Sequence, residues 1–375
     1  MEIGKFIQQK AGYKAFIPNR FPPDKGLEFS KKLILKHSSA ERLLGKLDGI
    51  TQLLPDVDFF LFMYIRKDAA SSSQIEGTQA TMIDAIEAEA KTSETLPGDV
   101  DDILHYIRAL NYGLKRLEEF PMSLRFIREL HGELMKDARA TQFAGPGEFR
   151  KTQNWIGGAS PANASFVPPP PEEMQRALDD FEEFIYSKDE ILPLLKAGLI
   201  HAQFETIHPF LDGNGRTGRL LITFYLWLSK LLDKPVLFLS SYFKKHQQEY
   251  YVKLNGYHHG QVEEWLEYML DGIIDTDKKA ISSSQAITKL REQDMEKIQG
   301  LGKTSSESGI IVLRKLFALP IVNVNTVKEW TGFTRQGAQR VIDRFVELGI
   351  LEQKDKNETY GRSFIYQRYV EIFTK

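Results

Sequence analysis

Apolar residues return at helical spacing along most of the chain. Two such runs bracket a short polar stretch: Leu195, Leu199, Ala202, Phe204 and Ile207 precede it, and Leu220, Leu221, Phe224, Leu226 and Leu228 follow it. The second run is apolar on most sides, which predicts a buried helix. Further helices are expected at about 31–53, with Leu33, Leu35, Leu43, Leu44 and Leu47 as apolar positions, and from Phe59, where Phe60, Phe62, Met63 and Ile65 ask for burial. The serines before Gly77 predict an end for that second helix. An acidic helix at about 81–91 follows, then helices at 101–112 and 122–136, the last with Leu124, Ile127, Leu130 and Leu134 in phase. The N-terminal stretch through Pro22 and Pro23 reads as an irregular arm.

The period changes near 149–167, where two short extended runs flank a turn of small residues ahead of Pro168 to Pro171. This predicts a β-hairpin, and a lone hairpin is marginal, so it is expected to lie on something larger. After a polar connector at 276–304 the pattern becomes three helices, at 310–319, 324–331 and 334–348, with Gly332 at a tight turn. Two short strands, at 351–353 and 364–366, surround a charged loop. These elements read as a winged helix-turn-helix whose recognition helix presents Thr334, Arg335, Gln336, Gln339 and Arg340, with Lys354, Lys356 and Arg362 near the wing. The fold class is mainly α, divided as 1–100, 101–275, 276–304 and 305–375.

Composition narrows the function classes. A chain of 375 residues suggests two or three domains, and 49 basic against 51 acidic residues exclude a polycation made for nucleic acid. Residues 305–375 carry eleven basic and eight acidic side chains, a net of +3. That slight charge, with Asp343 and Glu347 on the same helix, favours docking of a target protein or a second copy of the chain over DNA binding. There is no cysteine, so disulfides and thiolate metal sites are excluded. No apolar run reaches the length of a membrane span, and the expectation is a cytoplasmic protein without a membrane partner.

The polar stretch itself runs His208-Pro209-Phe210-Leu211-Asp212-Gly213-Asn214-Gly215-Arg216-Thr217-Gly218-Arg219. Gly213, Asn214 and Gly215 can turn successive backbone N–H groups inward ahead of a helix N-terminus, the geometry of a phosphate cradle. Asp212 can hold a Mg²⁺ shared with phosphate oxygens. Arg216 and Arg219, three apart, share a helix face and can fork onto further phosphates. His208 is the side chain suited to take a proton near neutral pH. Together they make an inventory for phosphoryl or nucleotidyl transfer.

This stretch resembles the signature of the Fic family, H-x-F-x-[D/E]-G-N-G-R-x-x-R, at every fixed position. The resemblance implies a helical domain that uses ATP and Mg²⁺ to transfer AMP to a hydroxyl side chain of a target protein. It implies His208 as the base, Asp212 on the metal, Gly213, Asn214 and Gly215 around the phosphates, and Arg216 and Arg219 holding them, Arg219 at the γ-phosphate. A second pattern, Ser72-Ser73-Gln74-Ile75-Glu76-Gly77, fits the family's inhibitory [S/T]-x-x-x-E-[G/N]. It implies that Ser72 and Glu76 hold the enzyme back, Glu76 pairing with Arg219 in the γ-phosphate's place, since a carboxylate and a phosphate cannot share one guanidinium fork.

The same resemblance makes the hairpin a flap on which an extended target segment docks by strand addition. It sets Tyr250 and Tyr251 beside the adenine, and leaves His258 where some relatives carry a nucleotide-contacting Asn. Self-modification and a homodimer are further partner expectations. Gly300-Leu301-Gly302-Lys303-Thr304 ends like a Walker A loop, but Lys297 stands where its first Gly belongs and a charged helix precedes it, so it is rejected. Two rival functions stay open: removal of AMP by the same site, and a nucleotide-sensing DNA regulator. A pure sensor needs the cradle but no base, which favours catalysis.

Overall fold

The computed structural model describes residues 2–22, 27–53, 57–93, 95–137, 145–188 and 190–374, without the side chains of 53 and 57–59. Pro23 and the Phe59 side chain lie outside that description. Strands β1 (Gly4–Gln8) and β2 (Lys14–Pro18) open the chain, followed by helices α1 (Lys31–Leu53), α2 (Val57–Ile75), α3 (Met82–Ala90), α4 (Val100–Leu117) and α5 (Leu124–Met135). Then come α6 (Pro171–Tyr186), α7 (Pro193–Ile207), α8 (Asn214–Leu228), α9 (Ser240–Lys245), α10 (Gln247–His258) and the long α11 (Val262–Gln299). The C-terminal stretch holds α12 (Lys303–Ala318), β3 (Ile321–Val322), α13 (Val324–Thr331), α14 (Arg335–Glu347), β4 (Glu352–Gln353), β5 (Phe364–Ile365) and α15 (Gln367–Thr374). The fold is mainly helical. Among the described residues no helix is long and apolar enough to cross a membrane.

The chain divides into two compact units. The first takes Met1–Gly45, Ser71–Gly77 and Leu104–Asp277. Its centre is the pair α7 and α8. Every residue of α7 from Leu194 to Ile207 is buried, and on α8 Leu220, Leu221, Phe224 and Leu226 are buried, whereas Leu228, at the helix end, is exposed. The two helices approach closely because Gly218 has no side chain: a Cβ there would lie 3.0 Å from the Phe204 ring and 2.6 Å from Glu205 Oε1. In α1 the buried positions Leu33, His37, Ala40 and Leu44 recur at steps of three and four. Leu35 falls off that stripe and is exposed, against expectation.

The N-terminal arm is not irregular. β1 and β2 form an antiparallel hairpin pairing Phe6 with Phe16, and Phe16, fully buried, donates its N–H to Val167 O at 2.8 Å. Buried Phe16, with Phe6 against its ring edge at 5.1 Å, anchors the pair and outweighs the break signals of the neighbouring prolines. The expected hairpin near 149–167 is reduced to a single antiparallel bridge between Ile156 and Phe166, with Gly157 and Gly158 at φ 68° and 72° in its turn.

The second unit takes Lys46–Ala70, Thr78–Ile103 and Lys278–Lys375. Its core is aromatic: Phe60 packs on Tyr64, Tyr64 on Phe373, Phe373 on Tyr369 and Tyr369 on Phe317, with ring centroids 4.3–5.3 Å apart. Phe62, expected inside, is exposed with the Arg66 guanidinium over its ring. The stretch 276–299 belongs to α11, where Asp294 is fully buried and receives Tyr366 Oη at 2.6 Å and Arg368 at 2.7 Å. Strand order is β3-β5-β4, and α13 and α14 meet at Gly332, whose φ is 70°. Lys354, one of the expected wing cations, is paired with Glu87 of α3.

Asp277, the last residue of the first unit, is fully buried, and neither carboxylate oxygen has a hydrogen-bond partner among the described residues. Burial pushes its carboxyl up to about 8. A carboxyl raised in the folded state binds its proton more tightly there, so stability is lost as pH rises from about 4 to about 8. Asp277→Asn is therefore expected to raise the melting temperature at pH 8–9, by roughly 2–4 °C per kcal/mol recovered, and to have little effect near pH 4. Thermal unfolding across that range checks it.

Candidate active site

The polar stretch between α7 and α8 is held by its own backbone. His208 closes α7 in the left-handed region, φ 49° and ψ 60°, a conformation costing a non-glycine residue roughly 1–2 kcal/mol. Its N–H donates to Phe204 O at 2.9 Å, and its carbonyl accepts Arg150 Nε at 2.9 Å. Asn214 then clasps the loop: its Oδ1 accepts Phe210 N–H at 2.9 Å and its Nδ2 donates to Phe210 O at 2.8 Å. Asn154 Nδ2 donates to the same carbonyl at 2.8 Å. The Phe210 ring, fully buried, stacks on His131 at 3.7 Å.

His131 is fixed as a neutral tautomer. Its Nδ1 accepts Gly147 N–H at 2.9 Å, so Nε2 carries the proton and donates to Asp212 O at 3.0 Å. Burial pushes this imidazole down to about 4, which keeps it neutral at physiological pH. Gly213 needs its lack of a side chain twice over: its φ is 76°, and a Cβ would meet Met135 Sδ at 2.8 Å and His131 Nε2 at 3.2 Å.

Helix α8 starts at Asn214 with no side-chain cap. Uncapped first-turn N–H groups of this kind suit an anion. A carboxylate is there: a Cβ built on Gly215 would come within 2.3 Å of Glu76 Oε1. Glu76 is held by Arg219, whose Nη2 donates to Oε1 at 2.7 Å. Arg219 also donates from Nε to Ser72 Oγ at 2.8 Å and from Nη2 to Ser72 O at 2.9 Å. The guanidinium is almost wholly buried, whereas the Glu76 side chain is 40% exposed. Burial alone would lower the Arg219 pKa, but Glu76 and the neighbouring anions outweigh it and raise it. Ser71 Oγ contacts Ser241 Oγ at 2.9 Å and Gln247 Nε2 donates to Ile75 O at 3.0 Å, so α9 and α10 brace the segment that carries Glu76.

The structure thus brings together His208, Asp212, Gly213, Asn214, Gly215, Arg216, Arg219, Ser72 and Glu76. Arg216 is buried with Nη2 4.0 Å from Asp212 Oδ1, and Asp212 Oδ1 also accepts Gly213 N–H at 2.6 Å. The two tyrosines part company. Tyr250 is interior, its hydroxyl 2.7 Å from His201 Nε2, while Tyr251 is 43% exposed and accepts Gln247 Nε2 at 3.1 Å. Tyr251 alone of the pair offers a face to a ligand. His258 is buried against Phe166 at 3.9 Å, its Nε2 3.0 Å from Thr206 Oγ1, and burial pushes it down to about 3.

Sequence reasoning gave no role to Glu205, His131, Arg150 or Asn154. Glu205 sits one helical turn before His208, with Oε2 3.5 Å from His208 Nδ1. Its spacing of three was the available signal. Arg150 and Asn154 come from the hairpin stretch and His131 from α5, and nothing in sequence spacing ties them to loop positions 56 to 81 residues away.

Comparison with known proteins follows this geometry. Residues 121–226 match the Fic/DOC family, and residues 34–115 match the Fic/DOC family N-terminal region. The protein adenylyltransferase Fic of Nematostella vectensis is 29% identical over 206 residues, covering 53% of this chain and 44% of that protein. That of Aedes aegypti is 30% identical over 174 residues, 46% of this chain and 31% of that one. The chain therefore spans less than half the length of these curated relatives. A Fic family protein from Desulfovibrio desulfuricans superposes with a TM-score of 0.59 at 18% identity, covering 91% of this chain and 97% of its own. A Fic domain containing signaling protein from Bacteroides thetaiotaomicron gives 0.53 at 19% identity, over 68% and 97%. At these identities the structures establish the fold.

Asn214→Ala removes both hydrogen bonds of the clasp and leaves the buried Phe210 N–H unpaired. The expected loss is about 1–3 kcal/mol of stability, read as a lower urea midpoint. Asn214→Asp keeps the acceptor for Phe210 N–H but sets a buried carboxylate oxygen against Phe210 O, and is expected to destabilise at least as much as Asn214→Ala.

Proposed function

The chain belongs to the Fic/DOC family, and on that premise we propose that it is an autoinhibited protein adenylyltransferase, moving AMP from ATP to a Ser, Thr or Tyr hydroxyl of a target protein. One observation carries the reading: the Glu76 carboxylate lies on Arg219 and against Gly215, in the first turn of α8. That position suits a phosphate equally well, so Glu76 and the γ-phosphate of ATP compete for it. In the transfer, the acceptor hydroxyl gives its proton to His208, its oxygen bonds to the α-phosphorus, the bond to the β-phosphate oxygen breaks, and diphosphate leaves. His208 acts as the base, and the α8 N-terminus with Arg216 and Arg219 holds the phosphates.

The donor set fits Mg²⁺. Among the described residues there is no cluster of three or more metal-ligating side chains, and Asp212 is a single, half-exposed carboxylate beside the phosphate site. Mg²⁺ usually takes one or two carboxylates and completes its shell with water and phosphate oxygens. Asp212 would hold it, and the ion would neutralise phosphate charge. The adenine contact rests on Tyr251. The target docks on the stretch near 149–167, where Trp155 is exposed.

In 305–375 the strand order and the α13–α14 turn suit a winged helix that recruits the target or a second copy of the chain. Lys354 is already neutralised by Glu87, and Asp343 accepts Gln339 Nε2 at 2.7 Å on the recognition helix, which weakens a claim on DNA. Deleting 305–375 is expected to slow target modification or reduce oligomer size, with Arg335→Ala and Arg340→Ala leaving both unchanged. Salt-sensitive, sequence-selective binding to a duplex in a mobility-shift assay would reverse this and favour the nucleotide-sensing regulator.

Incubation with α-labelled ATP and Mg²⁺ tests the enzyme. Glu76→Gly is expected to raise labelling of the protein itself or of a target sharply. Arg219→Ala, which also breaks the ion pair but removes the γ-phosphate's anchor, is expected not to. His208→Ala should abolish labelling while ATP still binds, since a general base is worth roughly 10²–10⁴-fold. Equal activation by Glu76→Gly and Arg219→Ala would refute the competition, and a Glu76→Gly protein that instead loses removal of AMP would favour the reverse reaction.

A further inference from the structure

We infer that Glu205 is a positioning residue for His208, holding the Nδ1 side of the imidazole and leaving Nε2 to take the proton of the acceptor hydroxyl. This rests on the reading of His208 as the base. Glu205 lies on α7 one turn before His208, 7% exposed, and its Oε2 is 3.5 Å from His208 Nδ1, longer than a full hydrogen bond. Such catalytic contacts are often long without substrate and tighten in the complex.

The place for this carboxylate is built. Gly218 of α8 lacks the Cβ that would stand 2.6 Å from Glu205 Oε1, so the missing side chain makes the slot that admits it. A buried carboxylate needs a partner of opposite charge, and losing such a partner is expensive. Several titratable groups face Glu205: His201 and His208 from α7, Arg219 from α8, and Tyr250, Tyr251 and His258 from α10. Burial raises the Glu205 pKa, but His208, His201 and Arg219 outweigh it, so the group is held anionic.

Most of those neighbours are committed elsewhere. Arg219 is spent on Ser72 and Glu76. His201 Nε2 meets the Tyr250 hydroxyl, and burial pushes that imidazole down towards the neutral form. Thr206 Oγ1 donates to Ala202 O at 2.7 Å, so its contact with His258 uses the His258 Nε2 proton, and that ring too is neutral. His208 is left as the imidazole that Glu205 can serve. The ring nitrogen that carries the proton is set by the hydrogen bond the other makes or lacks. An anion beside Nδ1 selects Nδ1–H, and it also stabilises the imidazolium once the proton has been taken.

Two measurements on the full chain test this. In the Glu76→Gly background, Glu205→Gln keeps the shape of the side chain and removes its charge. It is expected to lower kcat for AMP incorporation roughly ten- to a hundredfold, with KM for ATP and melting temperature little changed. A merely structural role would lower the melting temperature and leave kcat near the parent's. Independently of activity, a long-range ¹⁵N–¹H spectrum at pH 8 is expected to show His208, assigned by loss of its signals in His208→Ala, as the Nδ1–H tautomer, changing to Nε2–H in Glu205→Ala. Parental kcat in Glu205→Gln, or an Nε2–H tautomer in the unsubstituted chain, overturns the inference. Retained labelling by His208→Ala would instead overturn the base assignment, and the tautomer result would still decide the role of Glu205.

Discussion

A buried guanidinium has to find acceptors, and Arg219 finds all of its described ones in the single segment Ser71–Gly77. Ser72 supplies a hydroxyl and a carbonyl, and Glu76 supplies a carboxylate. Taking an arginine out of water costs several kcal/mol unless it is paired, so the segment that carries Ser72 and Glu76 satisfies the guanidinium that the α8 helix buries. The proposed inhibition and the integrity of this packing would thus share one cation. Under the proposed competition, a phosphate oxygen would replace the Glu76 oxygen without leaving Arg219 unpaired.

The loop between α7 and α8 is held in place for a related reason. Side chains from the loop itself and from the segments packed around it take up its backbone groups. Arg150 donates to His208 O, Asn214 pairs with both polar groups of Phe210, and His131 donates to Asp212 O. Burial keeps His131 neutral, so its hydrogen bonds persist across physiological pH. Strain at His208 is tolerated because the surrounding structure fixes the loop on both sides.

The C-terminal stretch obeys different constraints. Asp294, buried in α11, is neutralised by Arg368 and receives the Tyr366 hydroxyl, so that helix is part of its unit's core. Glu87 is likewise buried and takes Lys354 from the loop after β4. Charges that a sequence count assigns to a binding surface are thereby spent inside the unit, and its outward field is weaker than its composition suggests.

Local rules determined much of this protein. The sequence pattern placed α1, α5, α7, α8, α13 and α14 to within a few residues; α1 and α5 bury a stripe at helical spacing, α7 is buried on every side, and α13 buries only Val327. The twelve residues from His208 to Arg219 stood out as a candidate site because glycines, a turn and a helix start are adjacent in sequence. Long-range neighbours were decided elsewhere. The β1–β2 hairpin depends on Phe16 meeting Val167, and Tyr250 turned inward because His201, on α7, offered its hydroxyl a partner. The roles of His131, Arg150 and Asn154 exist only once separate segments converge on one loop, and no local pattern encodes that convergence. Glu205 lies between the two cases. Its spacing from His208 was visible in the chain, but that it is buried, anionic and accommodated by the missing side chain of Gly218 was fixed by the packing of α7 on α8.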